Sequence, residues 1–276
     1  MTKPIINPAS EKLFFAVLEK LPQSLLLTGE NRIGLTTIAR YIANIRKITP
    51  MIILPEKKEK IDLEKGVISV DIIRRLYNET KTKSVDERII IIDYAERMTH
   101  TAQNAFLKLL EEPGDNIYFI LVSHSISKLL PTITSRTEIL EIKPISTSQS
   151  NKLLDSLGLK DDTKRIQILY MANGLPAELT HLVTDDEYFE KRSVMMRDAR
   201  QIIDGNLYQK LLIAHRYKDD RVSALSLLSY SSKILTNSIV SNPQLNTFGY
   251  TDKLLKAYQR IEANGNIRLC LARMVI

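Results

Sequence analysis

The segment Ser24 to Ile45, SLLLTGENRIGLTTIARYIANI, constrains the fold more than any other part of the sequence. An apolar run ends at Gly29, a short loop follows, and small and apolar residues then recur at helical spacing from Leu35 onward. This order of strand, glycine-bounded loop and helix is the layout of a phosphate-binding loop, whose pattern is G-x-x-x-x-G-K-[ST]. Gly29, Gly34 and Thr36 match the pattern, but Leu35 stands at the lysine position.

Four further apolar runs predict strands, and helical patterns separate them. The runs are MIILP, RIIIID, IYFILVS and TEILEI, and helices are predicted at SVDIIRRLYNET and TAQNAFLKLLEEPG. The run RIIIID lacks polar alternation, as expected for a strand covered on both faces. Strands and helices that alternate in this way predict an α/β domain with a parallel sheet, which binds its ligand beyond the carboxyl ends of the strands.

After Pro144 the sequence predicts helices only. Three short ones, at STSQSNKLLDSLG, DDTKRIQILYMANG and LPAELTHLV, predict a small lid. From about Asp185 longer amphipathic helices follow, with breaks near SNPQLN and NGN. We therefore predict an α/β core over residues 1–144, a three-helix lid over 145–185 and an all-α domain over 186–276.

The positive charge is concentrated in the C-terminal region. The net charge is +7, and from Glu190 onward 14 Lys and Arg face 7 Asp and Glu, a local balance of 14 − 7 = +7. Two interpretations stay open at this point. The charge either solubilises a helical surface or contacts nucleic acid or an acidic partner.

Cysteine content and hydropathy exclude several classes of protein. The single cysteine, Cys270, excludes an intrachain disulfide and a cysteine-rich zinc site. No signal-like N-terminus is evident, and no apolar run approaches the ~20 residues of a membrane helix. We expect a cytoplasmic protein that makes no membrane contact.

A second acidic position is expected on a strand beside the loop, and IIIIDYAERMT supplies it. Asp93 ends a buried strand, where it could reach Mg²⁺, or it could be a turn or helix-capping aspartate. ATP-hydrolysing proteins with such a phosphate-binding loop have a glutamate directly after that aspartate, and the glutamate orients the attacking water. Tyr94 stands there in this chain, and a tyrosine cannot act as a base near neutral pH.

The blocks DYAERMTHTAQNAFLKLLEEP and TSR, in this order and at this spacing, resemble the bacterial DNA polymerase III clamp-loader family of AAA+ proteins. The resemblance runs from about residue 10 to residue 185. It implies an AAA+ P-loop-type sheet domain followed by the lid and a helical collar. The chain lacks the family's four-cysteine zinc module, and its tail is shorter than is usual in the family.

The resemblance also implies roles for individual residues. Motor subunits of the family keep the loop lysine, the Glu after the Asp and a lid arginine, whereas this chain has Leu35, Tyr94 and Ala177. The δ′ subunit lacks such features but keeps the arginine of an S-R-C element, here Ser135–Arg136. In the family that arginine reaches in trans to the γ-phosphate of a neighbour's ATP. The degenerate nucleotide site would then comprise Gly29, Gly34, Thr36, Thr37, Asp93 and Ser123.

These implications favour a non-hydrolysing δ′-type subunit, a stator in the ring that loads the sliding clamp on primed DNA. Its expected partners are the δ and γ/τ subunits, the clamp and, through the assembly, DNA. We expect no required cofactor and no zinc, and ATP and Mg²⁺ binding by this subunit is in doubt. Two alternatives stay open: an active γ/τ-type motor or other AAA+ ATPase that uses Arg32 in place of the lysine, and a DNA-binding accessory protein that uses the basic tail. For Arg136 itself, the alternative is an ordinary surface arginine.

Overall fold

The computed structural model describes residues 3–63, 65–80, 86–241 and 248–276. It divides into two compact units, Met1–Val183 and Thr184–Ile276. The predicted fold class, a parallel α/β sheet followed by helices, is confirmed. The finer division of the first unit into core and lid stays a prediction.

The N-terminal unit is built on a five-stranded parallel sheet in the order β2-β5-β6-β1-β7. All five predicted strands are present in it. Strands β1 and β6 are buried along nearly their whole length, which explains their continuous apolar sequence. The strands are β1 (Ser24–Gly29), β2 (Met51–Ile53), β3 (Glu56–Lys57), β4 (Lys60–Ile61), β5 (Arg88–Ile92), β6 (Ile117–Ser123) and β7 (Glu138–Ile142).

Helices cover both faces of this sheet. Successive residues of a strand point to opposite faces, so Leu25 and Leu27 join one hydrophobic cluster and Leu26 the other. The first cluster includes Phe14 of α1 and Ile38 of α2, and the second is formed mainly with α3 and α4. The bounds are α1 (Pro8–Glu19), α2 (Leu35–Ile45), α3 (Val70–Thr80), α4 (His100–Glu111) and α5 (Pro131–Thr134).

The antiparallel hairpin of β3 and β4 was not predicted from the sequence. Its turn residues, Lys58 and Glu59, both have positive φ angles, 51° and 63°. Such a turn matches the twist of a hairpin, but Asn-Gly or Asp-Gly usually marks it in a sequence. A Lys-Glu pair carries no such signal, and helix α1 was likewise not among the predicted elements.

The three predicted lid helices are present, as α6 (Thr147–Ser156), α7 (Asp162–Ala172) and α8 (Pro176–Thr184). A capping box between Ser146 and Gln149 begins α6. Between α7 and α8, Gly174 has φ +76°, and a Cβ there would lie 2.4 Å from the carbonyl oxygen of Ile145. Since the backbone of Ile145 also donates to the carbonyl of Gly174, the chain passes too closely for another residue.

All regular elements described in the C-terminal unit are helices, and the unit has its own hydrophobic cluster. A buried carboxylate, Asp198, is the centre of a polar network in this unit. Asp198 accepts hydrogen bonds from Arg216 at 2.6 and 2.7 Å and from the Tyr217 hydroxyl at 2.9 Å. Part of the predicted break at SNPQLN lies outside the described residues, and the break at NGN is confirmed. The helices are α9 (Asp186–Asp204), α10 (Leu207–Arg216), α11 (Arg221–Ser241), α12 (Phe248–Glu262) and α13 (Ile267–Val275).

Candidate functional site

The two glycines of the loop are each required by the backbone, for different reasons. A Cβ on Gly29 would lie 2.6 Å from the carbonyl oxygen of Ile142 on the neighbouring strand β7. Gly34 has space around it, but its φ of +94° is a left-handed conformation that favours glycine. The loop therefore has the predicted strand-loop-helix geometry, and packing alone already accounts for Gly29.

Leu35, at the lysine position, belongs to the core. Its side chain is 1% exposed, and that of Ile33 is 3% exposed. Both lie beside Gly29, at 3.5 and 3.3 Å from where a Cβ of that glycine would be. The loop is thus anchored by apolar packing at the position where a lysine would offer a charge to phosphate.

Thr36 and Asp93, both assigned from the sequence to the degenerate nucleotide site, lie in contact in the structure. The Thr36 hydroxyl donates to Oδ2 of Asp93 over 3.0 Å, and the backbone N–H of Tyr94 donates to Oδ1 over 3.0 Å. Burial raises the pKa of Asp93, while these two hydrogen bonds oppose the rise. The pair keeps the oxygen ligands that Mg²⁺ would use in such a site, and Asp93 also fulfils the turn role.

Tyr94 and His124 lie against each other at the same edge of the sheet. Tyr94 has a φ of 55°, unusual for a bulky residue, and its ring meets that of His124 edge-on at 6.0 Å. His124 Nδ1 lies 3.1 Å from the carbonyl oxygen of Gly29, and its backbone N–H donates to Glu96 over 3.3 Å. His124 was not predicted from the sequence, because no motif pointed to it.

The remaining predicted site residues lie near this edge but make fewer contacts. Ser123 is fully buried at the end of β6, beside Thr28 of β1, and its hydroxyl oxygen accepts from the backbone N–H of Ser125. Thr37 lies exposed on α2. Neither residue is bonded directly to Thr36 or Asp93 in the hydrogen bonds described above.

Arg32, the cation proposed for an active-motor alternative, is bound to helix α8. Its Nε lies 3.1 Å from Oε2 of Glu178, and its Nη1 lies 2.9 Å from Nδ1 of His181. Its carbonyl oxygen accepts a hydrogen bond from the backbone N–H of Ala177 over 3.1 Å. Glu178 is buried, with a side chain 4% exposed. We call this set of contacts the latch, because it ties the loop to α8 through the protein's own groups.

Arg136 follows α5 on the surface of the N-terminal unit. Its Nη2 lies 2.9 Å from Oε1 of Glu111, at the end of α4, and its Nη1 donates to the carbonyl of Thr132 over 3.2 Å. The side chains of Arg136 and Glu111 are 40% and 51% exposed. The guanidinium is therefore held in place but remains accessible.

Arg136 and the loop lie toward opposite ends of the strands. Glu138, two residues after Arg136, pairs with Leu25 at the start of β1, whereas Ile142 pairs with Gly29 at its end. Four residues of strand separate the two ends, roughly 13 Å. Arg136 thus precedes the strand end that is distant from Asp93 and Thr36.

In the C-terminal unit, three cations border an open cavity of about 600 Å³. They are Lys218, Arg221 and Arg268, and Asp219 also lines the cavity. Arg221 shapes it by donating to the carbonyl of Gly265 over 3.3 Å.

Within the described ranges, no group of three or more His, Cys, Asp or Glu residues is arranged to hold a metal ion. No helix in the described part of the chain combines the length and apolar character needed to cross a membrane.

Comparison with known proteins relates this chain to subunits of bacterial DNA polymerase III. A family model described as "DNA polymerase III, delta subunit" matches residues 51–146, which include Asp93, Ser123 and Arg136. The DNA polymerase III subunit gamma of Buchnera aphidicola (Schizaphis graminum strain) is 26% identical over 241 residues, 79% of this chain and 66% of that protein. The chain is thus similar to the bacterial DNA polymerase III clamp-loader family.

Other relatives carry the δ′ name. The subunit delta' of Haemophilus influenzae is 31% identical over 147 residues, 52% of this chain and 44% of that protein. That of Buchnera aphidicola (Schizaphis graminum strain) is 26% identical over 160 residues, 57% of this chain and 48% of that protein. The matches span about half to two thirds of the length of these curated relatives. Both γ and δ′ subunits are therefore among the relatives.

Solved structures support the fold. A gamma subunit-related protein of Thermotoga maritima superposes with a TM-score of 0.52 at 19% identity, covering 96% of this chain and 97% of that chain. The RuvB Holliday junction branch migration motor of the same organism gives 0.52 at 15% identity, covering 94% and 88%. At these identities the likeness concerns the fold alone.

Proposed function

We propose that this chain is a δ′-type, non-hydrolysing subunit of a clamp loader. In this role it is a stator in a cytoplasmic ring with δ and γ/τ subunits, which places the sliding clamp on primed DNA. It offers Arg136 to the ATP of a neighbouring subunit and requires no nucleotide, magnesium or zinc of its own. Two features of the chain support the proposal. The loop lacks the lysine charge that would bind phosphate, and Arg136 is accessible.

The latch is the observation that carries the proposal. An active site of this class needs a cation at the β- and γ-phosphates and a residue that orients water. Leu35 is packed in the core, Tyr94 replaces the acidic residue, and Arg32 is bound to a buried carboxylate. For Arg32 to serve as the missing cation, it would have to give up its ion pair with the buried Glu178 and its contact with His181, which is costly.

Reconstitution with candidate δ and γ/τ subunits tests the proposal. We expect one copy of this chain per ring and no ATP hydrolysis above background by the chain alone. In the ring, Arg136→Ala should slow hydrolysis at the adjoining site by about 10³-fold, because a finger supplied in trans stabilises transition-state charge. The total ATPase activity with primed DNA should then fall by the share of that site.

The matched control is Arg74→Ala. Arg74 is also an exposed arginine paired with a carboxylate on the surface, at 3.4 Å from Asp71. We expect this variant to leave the ATPase activity of the ring unchanged. Full activity of the Arg136→Ala ring would contradict the role proposed for Arg136, and robust hydrolysis by the isolated chain would instead favour an active γ/τ-type motor.

The cavity bordered by Lys218, Arg221 and Arg268 favours a second candidate function, DNA contact by the C-terminal unit. Contacts to phosphates make affinity fall with salt, with a log–log slope that reflects the number of phosphates neutralised. The test is DNA binding by the full chain across salt concentrations, with and without Arg268→Gln. Binding without a salt slope, or unaffected by the substitution, would contradict this candidate.

A further inference from the structure

Arg136 is held at the surface by two groups from different helices. Glu111, the last residue of α4, bonds one end of the guanidinium at 2.9 Å, and the Thr132 carbonyl of α5 accepts from the other at 3.2 Å. A guanidinium has five N–H donors, so others remain for a further ligand. The arginine therefore has a defined resting position from which it can still bind.

Helix stability does not account for a carboxylate at the position of Glu111. The C-terminus of a helix carries partial negative charge, which disfavours an acidic side chain there. Lys108 in the same last turn is the residue type that this end favours. The ion pair with Arg136 is the contact that offsets this unfavourable placement, so Glu111 is best explained by its partner.

The bond between Glu111 and Arg136 is also easy to exchange. Both side chains are about half exposed, and ion pairs of this kind contribute little net stability and are screened by salt. Carboxylate and phosphate compete for the same bidentate face of a guanidinium. A triphosphate brought close would also repel Glu111, which favours the transfer of Arg136 from one anion to the other.

We propose that Glu111 is a positioning residue that holds Arg136 at rest and releases it to the γ-phosphate of ATP in the adjoining subunit. This rests on the proposed function, because it assigns a regulator to the same arginine. Glu111 keeps the Arg136 side chain ordered. It also lowers the attraction of Arg136 for phosphate until the ring closes.

The test compares Glu111→Gln with Glu112→Gln in the reconstituted ring. Glu112 is the next residue, is also exposed and carries the same charge. Without primed DNA, Glu111→Gln should raise kcat/KM for ATP by about two- to fivefold, which is the scale of an exposed ion pair. Glu112→Gln should have no effect, and the difference between the two variants should shrink as salt is raised.

The Arg136→Ala background separates positioning from a general structural effect. If Glu111 acts through Arg136, the gain from Glu111→Gln disappears in the double variant, and Glu111→Asp keeps the wild-type rate. A gain that persists without Arg136, or a rate that is unchanged or lower in Glu111→Gln, would overturn the role of Glu111 alone. If Arg136→Ala by itself leaves hydrolysis unchanged, the proposed function fails, and this inference fails with it.

Discussion

Two arginine–glutamate pairs of nearly equal length have opposite surroundings in this molecule. Arg32 and Glu178 approach to 3.1 Å, and Glu178 is almost fully buried. Arg136 and Glu111 approach to 2.9 Å with both side chains about half exposed. Burial, not distance, distinguishes the two pairs, because breaking an ion pair to a buried carboxylate is costly, whereas an exposed ion pair contributes little stability and can be exchanged.

The two pairs also lie toward opposite ends of the strands. The latch closes the loop after β1, where a nucleotide would bind, and Arg136 precedes the amino end of β7. Under the proposed function, the Arg32–Glu178 pair permanently takes the place of a ligand. The Arg136–Glu111 pair can instead be exchanged for a contact with a ligand. The predictions below test whether this difference holds.

The largest effect on stability is expected for substitution of Leu35, which anchors the latched loop in the core. Leu35→Ala should lower the free energy of unfolding of the N-terminal unit by about 3 kcal/mol, through lost burial and the cavity left behind. Chemical denaturation measures this, with Leu35→Met as the volume-matched control that should cost less than about 1.5 kcal/mol. A variant as stable as wild type would mean that Leu35 is not a core residue.

A smaller but clear effect is expected for Glu178→Gln, which removes the charge from the latch. We expect a loss of about 1–3 kcal/mol, below the cost for a fully buried pair because the Arg32 side chain is 37% exposed. Hydrogen exchange should accelerate at the backbone N–H of Ala177, which donates to Arg32. Unchanged exchange there would show that the pair does not hold α8 on the loop.

Asp93→Asn is expected to stabilise the protein at neutral pH. Burial raises the pKa of Asp93 above its ordinary 3.8, so its contribution to stability is greatest at low pH and is lost as the pH rises through the folded-state pKa. Asn is neutral and can still bond Thr36 and the Tyr94 N–H. The gain should be below about 1 kcal/mol at pH 7 and should shrink toward pH 4 in denaturation curves. A loss of stability at pH 7 would contradict this.

The smallest effect is expected for Glu111→Gln on stability, the direct counterpart of Glu178→Gln. An exposed ion pair should change the free energy of unfolding by no more than about 0.5 kcal/mol. Thermal unfolding of the two variants side by side provides the measurement. Equal losses would remove the distinction between a permanent and an exchangeable pair.

The central strands of the sheet were predictable from sequence because they are buried on both faces. Runs such as RIIIID and IYFILVS are short and rich in β-branched or aromatic residues, which favours buried strands over helices. Gly29 and Gly34 mark the loop between β1 and α2. The proximity of Thr36 and Asp93 followed from parallel strands ending at one edge. These features depend on local pattern and topology.

The latch could not be predicted, because tertiary packing alone creates it. Arg32 and His181 are 149 positions apart, and LPAELTHLV reads only as a helix with a proline in its first turn. His124 is a similar case, since its bond to the Gly29 carbonyl depends on how β6 and β1 pair. The hairpin turn at Lys58 and Glu59 lacked the residues that usually announce one.

We propose that the latch closes this chain's own loop and that the loop takes up no nucleotide. Calorimetric titration of the isolated full chain with ATP and Mg²⁺ tests it most directly. We expect no saturable binding up to about 1 mM ATP, a concentration that corresponds to a binding free energy of roughly −4 kcal/mol. Micromolar, Mg²⁺-dependent binding that is lost in Thr36→Ala would contradict it.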